Sequence, residues 1–196
     1  MTRYLVPGLI AEGPDDEVFL GRVIVRQLLA LGATARVPFD VQEFVLRGDC
    51  WSTKGPEQVA AAVDDLTADC HVVFLHNDHR ERGKIDKAAS LTVLPQDRRM
   101  VGIVPVRETE AWLLADGALL RTVPGAVADL IPASPAQVEK VADPKDLLSR
   151  ILPGYDSRFL SEKLSNEIDL VRLRALPAYR AWCEELTTVL KELHFL

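Results

Sequence analysis

The sequence predicts an α/β fold, a parallel sheet flanked by helices with a C-terminal helical extension. Two observations predict it. Up to about residue 120, short apolar runs alternate with longer segments of helical periodicity, the pattern of strands joined by crossover helices. Beyond that point strand-like runs stop and the apolar spacing is helical. The expected division is an α/β domain over 1–120 and a helical extension over 121–196 packed on the same domain.

Taken in order, residues 4–11 read as a strand, with Pro7 removing a ladder donor and pointing to an edge or a bulge. Residues 15–31 carry Leu20, Val23, Ile24, Leu28 and Leu31 at helical spacing, and Gly32 stands where a C-cap glycine is expected. A second strand falls within 35–47, "GDCWSTKGPE" is a loop by composition, and 56–68 is a helix. "HVVFLHND" (71–78) is the clearest strand, its unbroken apolar run fitting burial on both faces. "HRERGKIDKAAS" starts polar and turns helical, "MVGIVPV" (100–106) is the next strand, and a helix runs by residue 110. Residues 124–145 are broken by prolines into short helical pieces, and 166–195 form two helices parted at Pro177.

A chain of 196 residues with 48% hydrophobic content can bury a real core. No apolar run is long enough to cross a bilayer, and the first residues lack a signal peptide's apolar centre, so a cytoplasmic protein without membrane contact is expected. The three cysteines, Cys50, Cys70 and Cys183, are scattered, which argues against a disulfide framework or a thiolate zinc cluster; Cys70 reads as a core thiol. A net charge of −6 disfavours a protein that grips nucleic acid by charge alone, yet an acidic metal site inflates such a count.

Chemistry in an open parallel sheet collects at the carboxyl ends of the strands. Here those ends carry Glu12, the His76-Asn77-Asp78 cluster and Glu108. Asp15, Asp16 and Glu17 follow Pro14, and acids after a proline also suit a helix start for dipole reasons. Glu12 precedes the turn, where capping does not require it. His76 and Asp78 are two apart and share a face in an extended segment. "HNDH" lacks the further ligands of a zinc site. Glu108 and Glu110 reach the same cleft if one ends the strand region and the other opens the helix, and Trp112 and Leu113 read as core. Such acids suit Mg²⁺ or Mn²⁺, which take few carboxylates and leave room for substrate phosphate. Arg80, Arg82 and Arg107 are candidates to meet that phosphate, or solvated turn residues.

The strand ending in Glu12-Gly13 before an acid-opened helix, followed by an apolar strand ending in a D-x-D-like element, resembles the TOPRIM domain of topoisomerases, primases and overcoming-lysogenization-defect nucleases. "VPVRETEAWLLAD" (105–116), "DPKDLLSRIL" (143–152) and "KLSNEIDLVRLRALPAYRAW" (163–182) resemble a bacterial family of uncharacterised TOPRIM-like proteins. By that resemblance Glu12 is a general acid/base or metal ligand, Asp78 holds Mg²⁺, and Glu108 and Glu110 match the family's paired glutamates. His76 stands where the first aspartate belongs, which implies another metal, a single ion or lost activity.

Two readings follow. One is a divalent-metal-dependent nuclease of phage defence or DNA processing, with Glu12 and Asp78 catalytic, Glu12, Asp16, His76, Asp78, Glu108 and Glu110 around Mg²⁺ or Mn²⁺, DNA or RNA as substrate and a separate ATPase as partner. The alternative is a non-catalytic interaction subunit on a degenerate TOPRIM scaffold, partnering an ATPase. An enzyme acting on free nucleotides ranks last, because Gly13-Pro14 lacks a glycine-rich phosphate loop. Arg172, Arg174 and Arg180 are left to a partner, DNA or solvent.

Overall fold

The computed structural model describes residues 3–49, 51, 54–78 and 82–196. Cys50, His79 and Arg80 lie outside the described residues, as does the side chain of Arg82. The predicted first strand is two strands, β1 (Arg3–Leu5) and β2 (Pro7–Ile10), and the predicted second is likewise divided into β3 (Phe39–Val41) and β4 (Leu46–Arg47). β1 pairs with β3 in a two-stranded parallel sheet, while β4-β2-β5-β6 form a four-stranded sheet in that order, with β5 at Val72–His76 and β6 at Arg99–Ile103. Each pair in it runs parallel.

The break between β1 and β2 is held by a side chain. The Val6 amide donates to His71 Nδ1 at 3.1 Å, and the Val6 carbonyl accepts the His71 amide at 2.9 Å. Pro7 was expected at an edge or bulge; it opens an interior strand instead, where first position makes the missing donor tolerable.

Both faces of the sheet are covered, as the apolar β5 run predicts. On one face α2 (Pro56–Thr67) and α3 (Arg82–Leu91) bury Val59, Val63, Ile85 and Ala88 against Ile10, Val73 and Leu75. On the other lie α1 (Pro14–Gly32), α8 (Ser157–Glu167), which packs along α1, and α10 (Pro177–Glu192), which packs on β6. Their side chains share one apolar cluster with Leu9, Phe74, Val101 and Ile103, so the helical C-terminal half and the sheet are joined through a common core. Pro177 opens α10 at its first position, in accord with the break expected there. Cys70 and Cys183 are buried free thiols.

Short elements complete the chain: α4 (Glu110–Leu113), α5 (Gly117–Thr122), a 3₁₀ turn at Ala128–Leu130, α6 (Pro135–Val138), α7 (Pro144–Ile151) and α9 (Leu170–Leu173). A relay of rings ties α4 to the sheet. Trp112 meets Tyr179 at 4.9 Å, Tyr179 meets Trp182 at 5.2 Å, and Trp182 meets Phe74 of β5 at 6.0 Å. These contacts pin the start of α4 beside the strand ends. No helix among the described residues is long and apolar enough to cross a membrane.

Two glycines act through space. Gly32 does not form the left-handed cap its position suggests: α1 runs through it to a right-handed Ala33, and a Cβ there would stand 3.3 Å from the Phe39 ring. Gly8 is tighter, since a Cβ would lie 2.7 Å from Cys70 Sγ. Gly8→Val is expected to cost about 2 kcal/mol in urea unfolding by overpacking. Cys70→Ala in that background should recover part of the loss, and strict additivity of the two changes would refute the clash.

Candidate functional site

Because β2, β5 and β6 run parallel, their carboxyl ends open on one edge of the sheet. The chain leaves β2 through Ala11, Glu12 and Gly13 and enters α1 at once. It leaves β5 through Asn77 and Asp78, whose path is set by Asn77 N–H donating to the Ile103 carbonyl of β6 at 3.1 Å. The three exits therefore lie side by side.

Glu12 bridges two of them. Its Oε2 accepts Asn77 Nδ2–H at 2.7 Å and the Asp78 amide at 3.0 Å. Capping of α1 is left to Asp16, which accepts the Gly13 amide at 3.1 Å. Asp16 thus fulfils the helix-start reading and still stands 4.0 Å from His76 Nδ1. Glu17 turns away from the cleft to pair with Arg47 of β4 at 3.1 Å.

His76 is wholly buried, and burial pushes its pKa down against the pull of Asp16 and Glu12. Nδ1 receives the Glu12 amide at 3.4 Å, so the neutral ring carries its proton on Nε2, 3.1 Å from Thr109 Oγ1 and 3.8 Å from Asp78 Oδ1. Trp51 Nε1 donates to the His76 carbonyl at 2.6 Å. The imidazole was expected among the metal ligands; in this structure both its nitrogens are directed at protein groups, Nδ1 at the Glu12 amide and Nε2 at Thr109 and Asp78.

Arg107 adopts the left-handed region at φ 74°, and the Glu108 amide closes a three-residue turn onto the Val106 carbonyl at 3.2 Å. Such turns are strained and uncommon. This one directs the chain so that Glu108, before α4, and Glu110, its first residue, line the same cleft as expected. That cleft of about 220 Å³ is also lined by Gly13, Asp15, Asp16, Asp78 and Lys145. Glu108 Oε2 is buried without a hydrogen-bond partner among the described residues. Trp112 and Leu113 are core, as their pattern suggests.

The cleft is electrostatically loaded. Burial pushes the Asp78 carboxyl up to about 7, reinforced by Glu12, Asp16, Glu108 and Glu110. Glu110 is also raised, first by burial and then by Asp16 and Glu108, against its own backbone amide and Lys145. Among the described residues no three His, Cys, Asp or Glu side chains stand close enough to hold an ion as they are. The donors still suit a hard divalent cation: they are oxygens, one is buried and unpartnered, and Mg²⁺ needs only one or two carboxylates beside water and phosphate.

Asn77 was named only as part of its cluster, without a role, and Thr109, Trp51 and Lys145 were not singled out from the sequence. Lys145 had a signal. It occupies the first turn of α7 behind the Asp143 cap, where the helix dipole disfavours a cation. Of the arginines, Arg172 is committed to Asp116 at 3.3 Å.

The chain belongs to the domain of unknown function DUF4276, whose model matches residues 11–187 and so spans every residue of the cleft. No curated protein and no solved structure matches it.

A raised carboxyl binds its proton more tightly in the native state, so its ionisation weakens the fold as pH rises from its ordinary value of 3.8 towards 7. Asp78→Asn removes that penalty. In chelator it should stabilise the protein by about 1–2 kcal/mol at pH 8, allowing for screening at a partly exposed group, and hardly at pH 4. Urea titrations at the two pH values decide the matter; an equal effect at both would show that repulsion is not the cause.

Proposed function

We propose that this chain is a divalent-metal-dependent phosphodiester-cleaving enzyme, a TOPRIM-like nuclease acting on DNA or RNA in phage defence or DNA processing, with an ATPase as partner. The observation that supports it best is the convergence of Glu12, Asp78, Glu108 and Glu110 on one strand-end edge, with the Asp78 carboxyl raised to about 7 by burial and then by its acidic neighbours. Perturbed carboxylates that face a cleft mark functional sites more often than structural ones.

Asp78, Glu108 and Glu110 would hold Mg²⁺ or Mn²⁺, with Glu12 beside them. The ion supplies stabilisation of the charge that builds on the phosphate oxygens. The chain's own residues do the rest. Asn77 and the Asp78 amide hold Glu12 in one orientation, ready to take a proton from an attacking water. Asp78 releases its proton when a cation arrives. Asp16 holds the helix corner that walls the cleft, and Lys145 meets a phosphate oxygen from the far wall.

The non-catalytic scaffold reading has one observation in its favour, the lack of a ready-made trio of ligands among the described residues. Calorimetry separates the two. Mn²⁺ should bind with an affinity that rises about tenfold from pH 6 to pH 8 as Asp78 gives up its proton; no binding at millimolar ion favours the scaffold. With Mn²⁺ the protein should nick DNA or RNA slowly, and Glu12→Gln should lower the rate at least about 100-fold. Lys145→Ala should lower kcat/KM about tenfold with Mn²⁺ affinity kept. Full cleavage in chelator would remove the metal mechanism.

A further inference from the structure

The far end of α1 carries a groove of opposite sign. It lies between the α1 terminus, at Leu31, and the outer side of α10, has a volume of about 540 Å³, and is lined by Arg174, Arg180 and Lys191, with Glu184 and the hydroxyls of Thr187 and Thr188. At 1.5 Å per residue, Leu31 is about 26 Å along the helix from Pro14 at the acidic cleft. The groove is therefore no part of that cleft.

Its cations are conspicuous in a chain of net charge −6. Several arginines elsewhere are spoken for: Arg47 by Glu17, Arg99 by Glu192, Arg172 by Asp116, and Arg26 by the Ser165 and Ile168 carbonyls. Among the described residues, Arg174, Arg180 and Lys191 form no ion pair with a carboxylate. Part of their role is explained by α1 itself, which has no basic residue in its last turn to meet the negative pole of its dipole. One cation suffices for that; three exceed it. The Cys183 thiol on the groove wall is pushed up to about 11 by burial, so it adds no negative charge.

We infer that this groove docks an acidic segment of a partner protein, one that places carboxylates on Arg174, Arg180 and Lys191 and an apolar side chain against Leu31. Charge complementarity selects the sign of the occupant. Its class follows from the apolar elements: Leu31 in the wall, and Val171, 75% exposed one turn before Arg174, give an apolar side chain something to cover, which a sugar-phosphate backbone does not use. The inference is independent of the proposed metal chemistry.

The test is fluorescence anisotropy with the full chain at low salt and a labelled synthetic peptide of alternating glutamate and leucine. Binding is expected in the micromolar range, at least tenfold weaker for Arg174→Glu with Arg180→Glu, and unchanged in Glu12→Gln. The single exposed change Lys191→Ala, with unaltered circular dichroism, should weaken it about threefold, which guards against a misfolded double variant. Equal binding by the variants, or none by the native chain, overturns the inference. So does a single-stranded oligonucleotide that binds through the same three residues and displaces the peptide, because the occupant is then nucleic acid.

Discussion

One carboxylate oxygen organises the working edge of this protein. Glu12 Oε2 takes two donors from the exit of β5, the Asn77 amide group and the Asp78 backbone, and so ties the end of β2 to the end of its neighbour. Hydrogen bonds to an ionised acceptor contribute about 1.5–3 kcal/mol each. The tie has a condition beneath it. The Glu12 amide donates to His76 Nδ1, and a protonated ring would present a donor there instead. Complete burial keeps the ring neutral. Desolvation of one histidine thus permits the geometry of Glu12, and through Asp78 and Thr109 it shapes both walls of the cleft.

The acids gathered around this tie are not what stability alone would select. Asp16 caps α1 and Glu17 pairs with Arg47, so each has a structural occupation. Asp78, Glu108 and Glu110 are different: burial and mutual repulsion raise the carboxyls of Asp78 and Glu110, and Glu108 is delivered by a strained turn with one buried oxygen that has no hydrogen-bond partner among the described residues. A cluster with these properties weakens the metal-free fold, and folds retain such local conflict where a ligand relieves it. On the proposed function that relief would come from a positive ion with oxygen affinity.

Much of this was legible in the chain because parallel strands make position along the sequence a statement about space. Acids that follow Ile10, His76 and the GIVPV run must share an edge once the strands align, so Glu12, Asp78, Glu108 and Glu110 could be named together. What escaped depended on partners remote in sequence. The kink at Val6 rests on the His71 ring, and the division of the second strand into β3 and β4 follows from it. Gly32 looked like a left-handed cap, and only the Phe39 ring reveals that it supplies room. The surroundings of His76 escaped for the same reason: an imidazole next to an acid suggests a ligand, and the sequence does not show that the ring is buried with its Nδ1 facing the Glu12 amide.

Charge is also distributed along α1 with a consistent sense. Its N-terminal end, the positive pole of the helix dipole, faces the carboxylates of the cleft; its C-terminal end, the negative pole, faces Arg174, Arg180 and Lys191 from other elements. The dipole lowers the cost of gathering like charges at either pole, by at most a kcal/mol or so, which is less than repulsion among several carboxylates. An acidic cleft on an acidic chain repels a polyanion, so field alone brings no nucleic acid to it. On the proposed function, a phosphodiester would therefore have to arrive with cations already seated between it and the carboxylates, or be presented by another protein. The polarity of α1 separates the two charged regions by about 26 Å, so on the proposed function a substrate at the cleft and the inferred partner at the groove would not compete for space.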